Sequence, residues 1–323
     1  MQENGIVIGV DLGGTNVRVG ALTLDGNLLK YQDALIEAYR GPEKGIQKIA
    51  NLIKTISSNV NQSVLGIGIG SAGPLDRERG RIQNPYTLPG WEDVDIVSSI
   101  EAIFGVPVAL ENDADAAALG ESWAGAGQGL SRLAMVTIGT GVGSGFIFNG
   151  EIYRGVDGFH PEGGHIIIDP TGPECYCGAN GCWESLVSGP AIAQFAHQAH
   201  NLQESSLYQA CSGDIERIDA AMVFAEARFG DHLANRLVMQ TAQYIGLGLV
   251  SIIMLYLPDS IVLTGGVIRS YDLLKDQINN VITQHNVVVP AHQVRLQLSQ
   301  LGQKAGMFGA ARAAQFRIIE NGS

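Results

Sequence analysis

Basic residues are scarce in this chain: 20 Lys and Arg stand against 32 Asp and Glu, for a formal charge of −12 at pH 7. Phosphate backbones are bound by basic surfaces, so nucleic acid is not expected as a main partner. A nucleotide remains admissible, provided backbone N–H groups and a cation hold it locally. Charged residues of both signs reach only 16%, against 46% apolar, the composition of a soluble globular protein and not of a disordered one. Long apolar runs are missing as well. The longest, 245–257, has 13 residues, which is too short to span a bilayer and reads as a buried helix with no membrane partner. No signal-peptide pattern opens the chain, because strand-like sequence begins at Ile6. Cysteine is used sparingly, four times in 323 residues. With no export signal and thiols grouped as for a metal, the cytoplasm is the expected compartment.

Glycine is what the chain has in excess. Its 42 glycines are about 13% of the residues, against roughly 7% in an ordinary protein. No collagen-like period accompanies them, so they are expected in turns and in loops where backbone approaches a ligand. The length predicts two domains.

Three of the four cysteines, Cys175, Cys177 and Cys182, follow His165 within one short stretch. One imidazole and three thiolates form a tetrahedral set preferred by zinc, and four protein ligands leave no open position, so such a zinc is structural. Pro170, Gly172, Pro173, Gly178 and Gly181 supply the turns that curl a loop around one ion. The alternative is buried or disulfide-bonded cysteines beside an unrelated histidine. Cys211 reads as an ordinary small side chain. Glu162 and Glu184 flank the four ligands, so closing the site would fix both carboxylates. Together with the free edge of His165 they can read sugar hydroxyls through charge-assisted hydrogen bonds; each alone reads as a solvated loop charge.

Residues 6–10 and 17–24 read as strands joined by the Gly13-Gly14-Thr15 turn, with Asp25-Gly26 turning into a third strand. No Gly-Lys-Ser/Thr follows, and a strand replaces the helix of a dinucleotide fingerprint. Such a turn still presents N–H groups and the Thr15 hydroxyl to a phosphate, and Asp11 would face the associated Mg²⁺ through water. The bland reading is a plain turn with Asp11 as a local cap. Residues 133–153 repeat strand, glycine turn, strand, Asn149-Gly150 turn, strand, which predicts a duplicated α/β domain with a polyphosphate held by both turns. Helices are expected over 45–58, 96–104, 114–123, 190–198, 222–227 and 233–257, and strands over 64–69, 106–110 and 261–263. Asp113 falls at a strand end and helix start, as an N-cap or a general base. Residues 264–267 form a further glycine turn opening a helix. The tail, 305–318, reads as an amphipathic helix whose Gly306, Gly309, Ala310 and Ala313 allow close packing.

In this order the motifs resemble the ROK family of bacterial sugar kinases, particularly its glucokinases, over nearly the whole chain. Asp11-Leu-Gly-Gly-Thr15, with Asn16 next to it, is similar to the family's first phosphate loop. The segment from Thr137 to Gly143, with Gly139, Thr140 and Gly141, is similar to the second. Leu263-Thr-Gly-Gly-Val267, with Gly265 and Gly266, resembles the adenosine segment. Glu111-Asn-Asp-Ala-Asp115 matches the segment whose aspartate, here Asp113, is the catalytic base. Glu162-Gly-Gly-His165 matches the sugar motif, and the run from Cys175 to Glu184 matches the zinc signature.

The resemblance implies a duplicated, actin-like (ribonuclease H-like) α/β fold with an active-site cleft between two domains. Expected bounds are 1–113 plus 303–323 for the smaller domain and 114–302 for the larger, which carries the zinc loop. It implies an ATP-dependent hexokinase acting on the 6-hydroxyl of glucose, with Mg²⁺ and a structural zinc, and a homodimer. Asn112, Asp113, Glu162, His165 and Glu184 would bind the sugar, and that histidine would also bind zinc. Many family glucokinases have Asn-Leu where Thr87-Leu88 stands here, with Asn84 nearby, so mannose and N-acetylmannosamine remain alternatives. Family repressors carry an N-terminal winged helix, whereas this acidic chain opens on the phosphate-loop strand. A chaperone- or filament-type ATPase has no use for the zinc loop.

Overall fold

The computed structural model describes residues 5–285 and 287–321. The chain divides into two compact units: Met1–Leu133, Gly145–His160 and Ser299–Ser323 form one, and Ala134–Ser144 with Pro161–Leu298 form the other. The expected bounds placed 114–133 and 145–160 in the larger domain. They belong with the first unit, where the helix after Asn112 packs against the C-terminal helix.

Strands β1 (Gly5–Leu12), β2 (Asn16–Thr23) and β3 (Leu28–Leu35) open the chain, followed by α1 (Pro42–Ser58) and β4 (Ser63–Ser71). Three short strands come next: β5 (Leu75–Asp76), β6 (Arg81–Gln83) and β7 (Glu92–Asp95). Then α2 (Ile96–Phe104), β8 (Val108–Asn112) and α3 (Asp113–Ala124) complete the first run. The repeat supplies β9 (Arg132–Ile138), β10 (Val142–Phe148) and β11 (Glu151–Ile152). Helices α4 (Trp183–Val187), α5 (Gly189–His197), α6 (Ser206–Ala210), α7 (Ala220–Arg228) and α8 (His232–Tyr256) follow the cysteine loop. The chain ends with β12 (Ser260–Thr264), α9 (Tyr271–Gln284), β13 (Arg295–Leu298) and α10 (Ala305–Asn321).

The first sheet has the order β3-β2-β1-β4-β8 and the second β11-β10-β9-β12-β13. In chain order both read third-second-first-fourth-fifth, so the sequence repeat is a repeat of topology. This is the duplicated actin-like α/β arrangement. In the first sheet β1 pairs antiparallel with β2 and parallel with β4. A strand covered on both faces needs no polar alternation, and β1 is almost wholly buried, whereas the edge strand β3 keeps polar residues in solvent.

The C-terminal helix departs from its expected amphipathic character. From Ala305 to Ala311 every residue of α10 is buried, and solvent reaches it mainly beyond Phe316. Small residues make this possible. A Cβ on Gly68 of β4 would lie 1.7 Å from Ala310 O, and one on Gly309 would lie 1.6 Å from Ala116 O of α3. Part of the glycine excess therefore serves backbone-to-backbone packing and not ligand loops. Among the described residues α8 is long and apolar enough to cross a membrane by length and composition, and 61% of its most apolar window is buried inside the protein.

Candidate active site

In the first unit β1 ends at Asp11, and the glycine turn runs to β2. Gly13 N donates to Asn16 O at 2.9 Å and Ile36 N to Thr15 O at 2.9 Å. Gly14 and Thr15 are exposed and Asn16 is half-buried. A Cβ on Gly14 would sit 2.4 Å from Thr87 O, so this turn is pressed against the 84–88 loop. Asp11 accepts from Arg18 Nη1 at 2.9 Å. Burial pushes the Asp11 carboxyl up, Arg18 opposes this, and the charge of Asp113 adds to the rise. The carboxylates of Asp11 and Asp113 thus lie within electrostatic reach of each other.

The cap of α3 is Asn112 and not Asp113. Asn112 Oδ1 accepts from Ala114 N at 2.8 Å and Asp115 N at 3.3 Å, the bonds that an N-cap side chain makes. Asp113 is the first helical residue, exposed, with its Oδ1 accepting from Ala114 N at 2.9 Å. A carboxylate there is favoured by the helix dipole. Asn84, a candidate sugar neighbour, is fully buried and committed elsewhere. Its Nδ2 donates to Ala72 O and Thr87 Oγ1, and its Oδ1 accepts from Tyr86 N and Thr87 N. It shapes the Thr87 loop.

Sequence reasoning missed the charge cluster beneath Asp113. Glu111 is 6% exposed; it accepts from Arg154 Nη2 at 2.6 Å and lies 3.7 Å from Arg77 Nη1. Asp115 is 2% exposed, and its Oδ1 has no hydrogen-bond partner. Burial first, then the charge of Glu111, pushes the Asp115 carboxyl up from 3.8 to about 7, with Arg154 opposing. The folded protein therefore holds this proton more tightly than the unfolded chain. Between the two values the contribution to stability falls as pH rises, by about 1.4 kcal/mol per pH unit, and levels off above about 7. Asp115→Asn removes the titration. Urea unfolding should show the variant gaining about 2–3 kcal/mol more over the wild type at pH 7.5 than at pH 5; the same gain at both values would refute the assignment.

In the second unit Gly139 N donates to Gly141 O at 2.9 Å, and Gly189 N donates to Gly139 O at 2.7 Å. Thr140 at the tip is exposed. The Gly265-Gly266 turn packs beside it. Gly265 has φ 103°, a value that favours glycine, and a Cβ there would lie 2.2 Å from Ile138 O. Gly266 N comes within 3.7 Å of the Cβ position of Gly139. The second phosphate-loop candidate and the adenosine candidate are therefore neighbours. Glu184 reaches the same turn: its Oε2 accepts from Val142 N at 2.7 Å and lies over Gly141.

The cysteine loop gathers all four expected ligands. The ligating atoms of His165, Cys175, Cys177 and Cys182 lie within 4.8 Å of one another. Cys175 Sγ is 3.5 Å from His165 Nδ1, and Cys177 Sγ is 3.5 Å from Cys182 Sγ. Tetrahedral ligands at zinc bond lengths are about 3.4–3.8 Å apart, a range that these two separations meet, and the one-imidazole, three-thiol chemistry suits that ion. The cysteines are unpaired as disulfides. Ser144 anchors the preceding segment, accepting from Gly163 N at 3.0 Å and donating to Pro161 O at 3.2 Å, next to the exposed Glu162. Tyr176, between two of the thiols, was not singled out by the spacing. Its hydroxyl lies 3.0 Å from His165 Nε2. Desolvation there, then the charges of Glu184 and Glu162, push that hydroxyl up to about 12.

Comparison with known proteins agrees with these motifs. The model of the ROK family matches residues 7–316. A glucokinase of Thermotoga maritima is 34% identical over 97% of this chain and 98% of its own length. The structure of a ROK family glucokinase from Streptomyces griseus in complex with glucose and AMPPNP is 32% identical, with a TM-score of 0.77, covering 97% of this chain and all of that one. The xylose repressor of Bacillus subtilis is 30% identical over 95% of this chain and 76% of its own length. With its glycine turns, Glu-Asn-Asp segment and cysteine loop set in a duplicated α/β fold, the chain belongs to the ROK family.

Proposed function

We propose that this protein is a glucokinase that transfers the γ-phosphoryl group of ATP to the 6-hydroxyl of glucose. The observation that carries the proposal is the gathered His165, Cys175, Cys177 and Cys182 cluster, with Glu162 just before its histidine and Glu184 just after its last cysteine. Two carboxylates and an imidazole edge form a hydroxyl-reading set, and the Glu184–Val142 bond ties it to a glycine turn of phosphate-loop type. Similarity to glucokinases, one of them solved with glucose and an ATP analogue, supports the same reading.

Asp113 accepts the proton of the 6-hydroxyl as that oxygen attacks the γ-phosphorus, and ADP leaves with the bridging oxygen. Asn112, Glu162, His165 and Glu184 orient the ring so that one hydroxyl reaches the base. Gly13, Gly14, Thr15 and Asn16 bind phosphate oxygens in the first unit, and Gly139, Thr140 and Gly141 do so in the second. Gly265 and Gly266 accommodate the nucleoside. Asp11 would hold the nucleotide's Mg²⁺, through water, to offset the charge of the phosphates. His165 Nδ1, Cys175, Cys177 and Cys182 hold zinc, which when bound fixes the loop between Glu162 and Glu184 and has no open position for chemistry. The family resemblance implies a cytoplasmic homodimer, which sedimentation of the purified protein would test.

Coupled ADP release with glucose, mannose and N-acetylmannosamine tests the substrate. Glucose should give the highest kcat/KM. Preference for either of the others would reassign the enzyme within the family, and ADP release independent of sugar would reject the kinase.

A further inference from the structure

Tyr176 is 83% exposed, yet its hydroxyl has a partner within the protein. It lies 3.0 Å from His165 Nε2, and the two rings meet edge to face, with centroids 5.1 Å apart and planes at 87°. His165 Nδ1 faces Cys175 Sγ, so Nε2 is the remaining polar atom of the ring. With Nδ1 given to a metal, Nε2 carries the proton and donates to the tyrosine oxygen. A sugar hydroxyl is an acceptor of the same kind and would need the same N–H.

We infer that Tyr176 is a specificity-determining residue that competes with the hexose from within the protein. Its hydroxyl fills the sugar-reading position on His165 and yields it to a sugar hydroxyl, so it sets sugar affinity and leaves the chemical step alone. The inference rests on the glucokinase reading. Because the ring is exposed, the residue can swing aside without disturbing the buried thiols.

Tyr176→Phe keeps the ring and removes the hydroxyl, and Tyr176→Ala removes both. Glucose binding is measured by calorimetry without nucleotide, and KM and kcat by coupled assay on the same preparations, with metal content as a control. The net worth of one neutral hydrogen bond corresponds to about a two- to tenfold change in affinity. Both variants should lower Kd and KM for glucose by about that factor, with kcat within about twofold of wild type. Unchanged Kd and KM would overturn the inference while leaving the glucokinase reading intact, and raised values would make Tyr176 a sugar ligand instead. A wild-type protein that neither binds nor phosphorylates glucose would overturn both.

Discussion

Asp113→Asn should slow glucose phosphorylation at least about a hundredfold while the protein stays folded and still binds glucose and ATP. Loss of a general base typically costs about 10²–10⁴ in rate. The helix that carries the residue does not depend on it, because Asn112 makes the capping bonds to Ala114 N and Asp115 N. What the substitution removes structurally is a carboxylate at a helix N-terminus, worth about 0.3–1 kcal/mol. That loss is offset in part by relief of its repulsion with Asp11, whose carboxyl is pushed up by burial first and by the Asp113 charge as a lesser cause. Stability and rate therefore separate cleanly. Asn112→Ala is the complementary variant, expected to lose about 0.5–2 kcal/mol of stability through the cap. Thermal melts, glucose calorimetry and turnover on one preparation decide the matter. A folded Asp113→Asn protein with near-normal turnover would remove Asp113 from the mechanism.

Cys177→Ser should release the metal and weaken sugar binding together. Purified wild-type protein should carry one zinc per chain by elemental analysis. Structural zinc in small domains contributes on the order of 10–16 kcal/mol of apparent binding energy at neutral pH, so loss of one thiolate ligand is felt throughout the loop. Cys177 is the exposed cysteine of the set, and Cys175 and Cys182 are buried, so serine at 177 disturbs packing least. The variant's melting temperature should fall, and its KM for glucose should rise, because Glu162 and Glu184 flank the loop that the metal closes. Nucleotide affinity measured without sugar should fall less than glucose affinity, since Gly265 and Gly266 lie outside that loop, which the Glu184–Val142 bond links to the Gly139–Gly141 turn. Zinc-free protein with full glucose affinity would refute the structural role.

Local signals carried most of the fold. The helix over 96–104 and the strand–turn–strand units at both ends of the repeat follow from periodicity and glycine placement, and the two sheets share one strand order. The four-ligand cluster was legible because its spacing is short and its residue types are rare. Features set by distant contacts were not. Ala305–Ala311 reads as one face of a helix, but β4 and α3 bury it all round through glycines far away in sequence. Asn112 and Asp113 are equally good caps by composition, and only backbone geometry at Asn112, extended at φ −64° and ψ 147°, distinguishes them. Asp115 stands in the sequence only as the end of the Glu-Asn-Asp segment; its burial beside the Glu111–Arg154 pair brings in a residue far along the chain. Thr87 and Asn84 could be compared with a motif, whereas the use of Asn84 to hold Thr87 needed coordinates.

The central claim is that the γ-phosphoryl of ATP is placed on the 6-hydroxyl of glucose. Phosphorus NMR of wild-type protein with glucose, ATP and Mg²⁺ tests it most directly. The account predicts one phosphate monoester, coupled to the protons at carbon 6, appearing in step with ADP. Inorganic phosphate without a sugar phosphate, or an ester at any other hydroxyl, would contradict it.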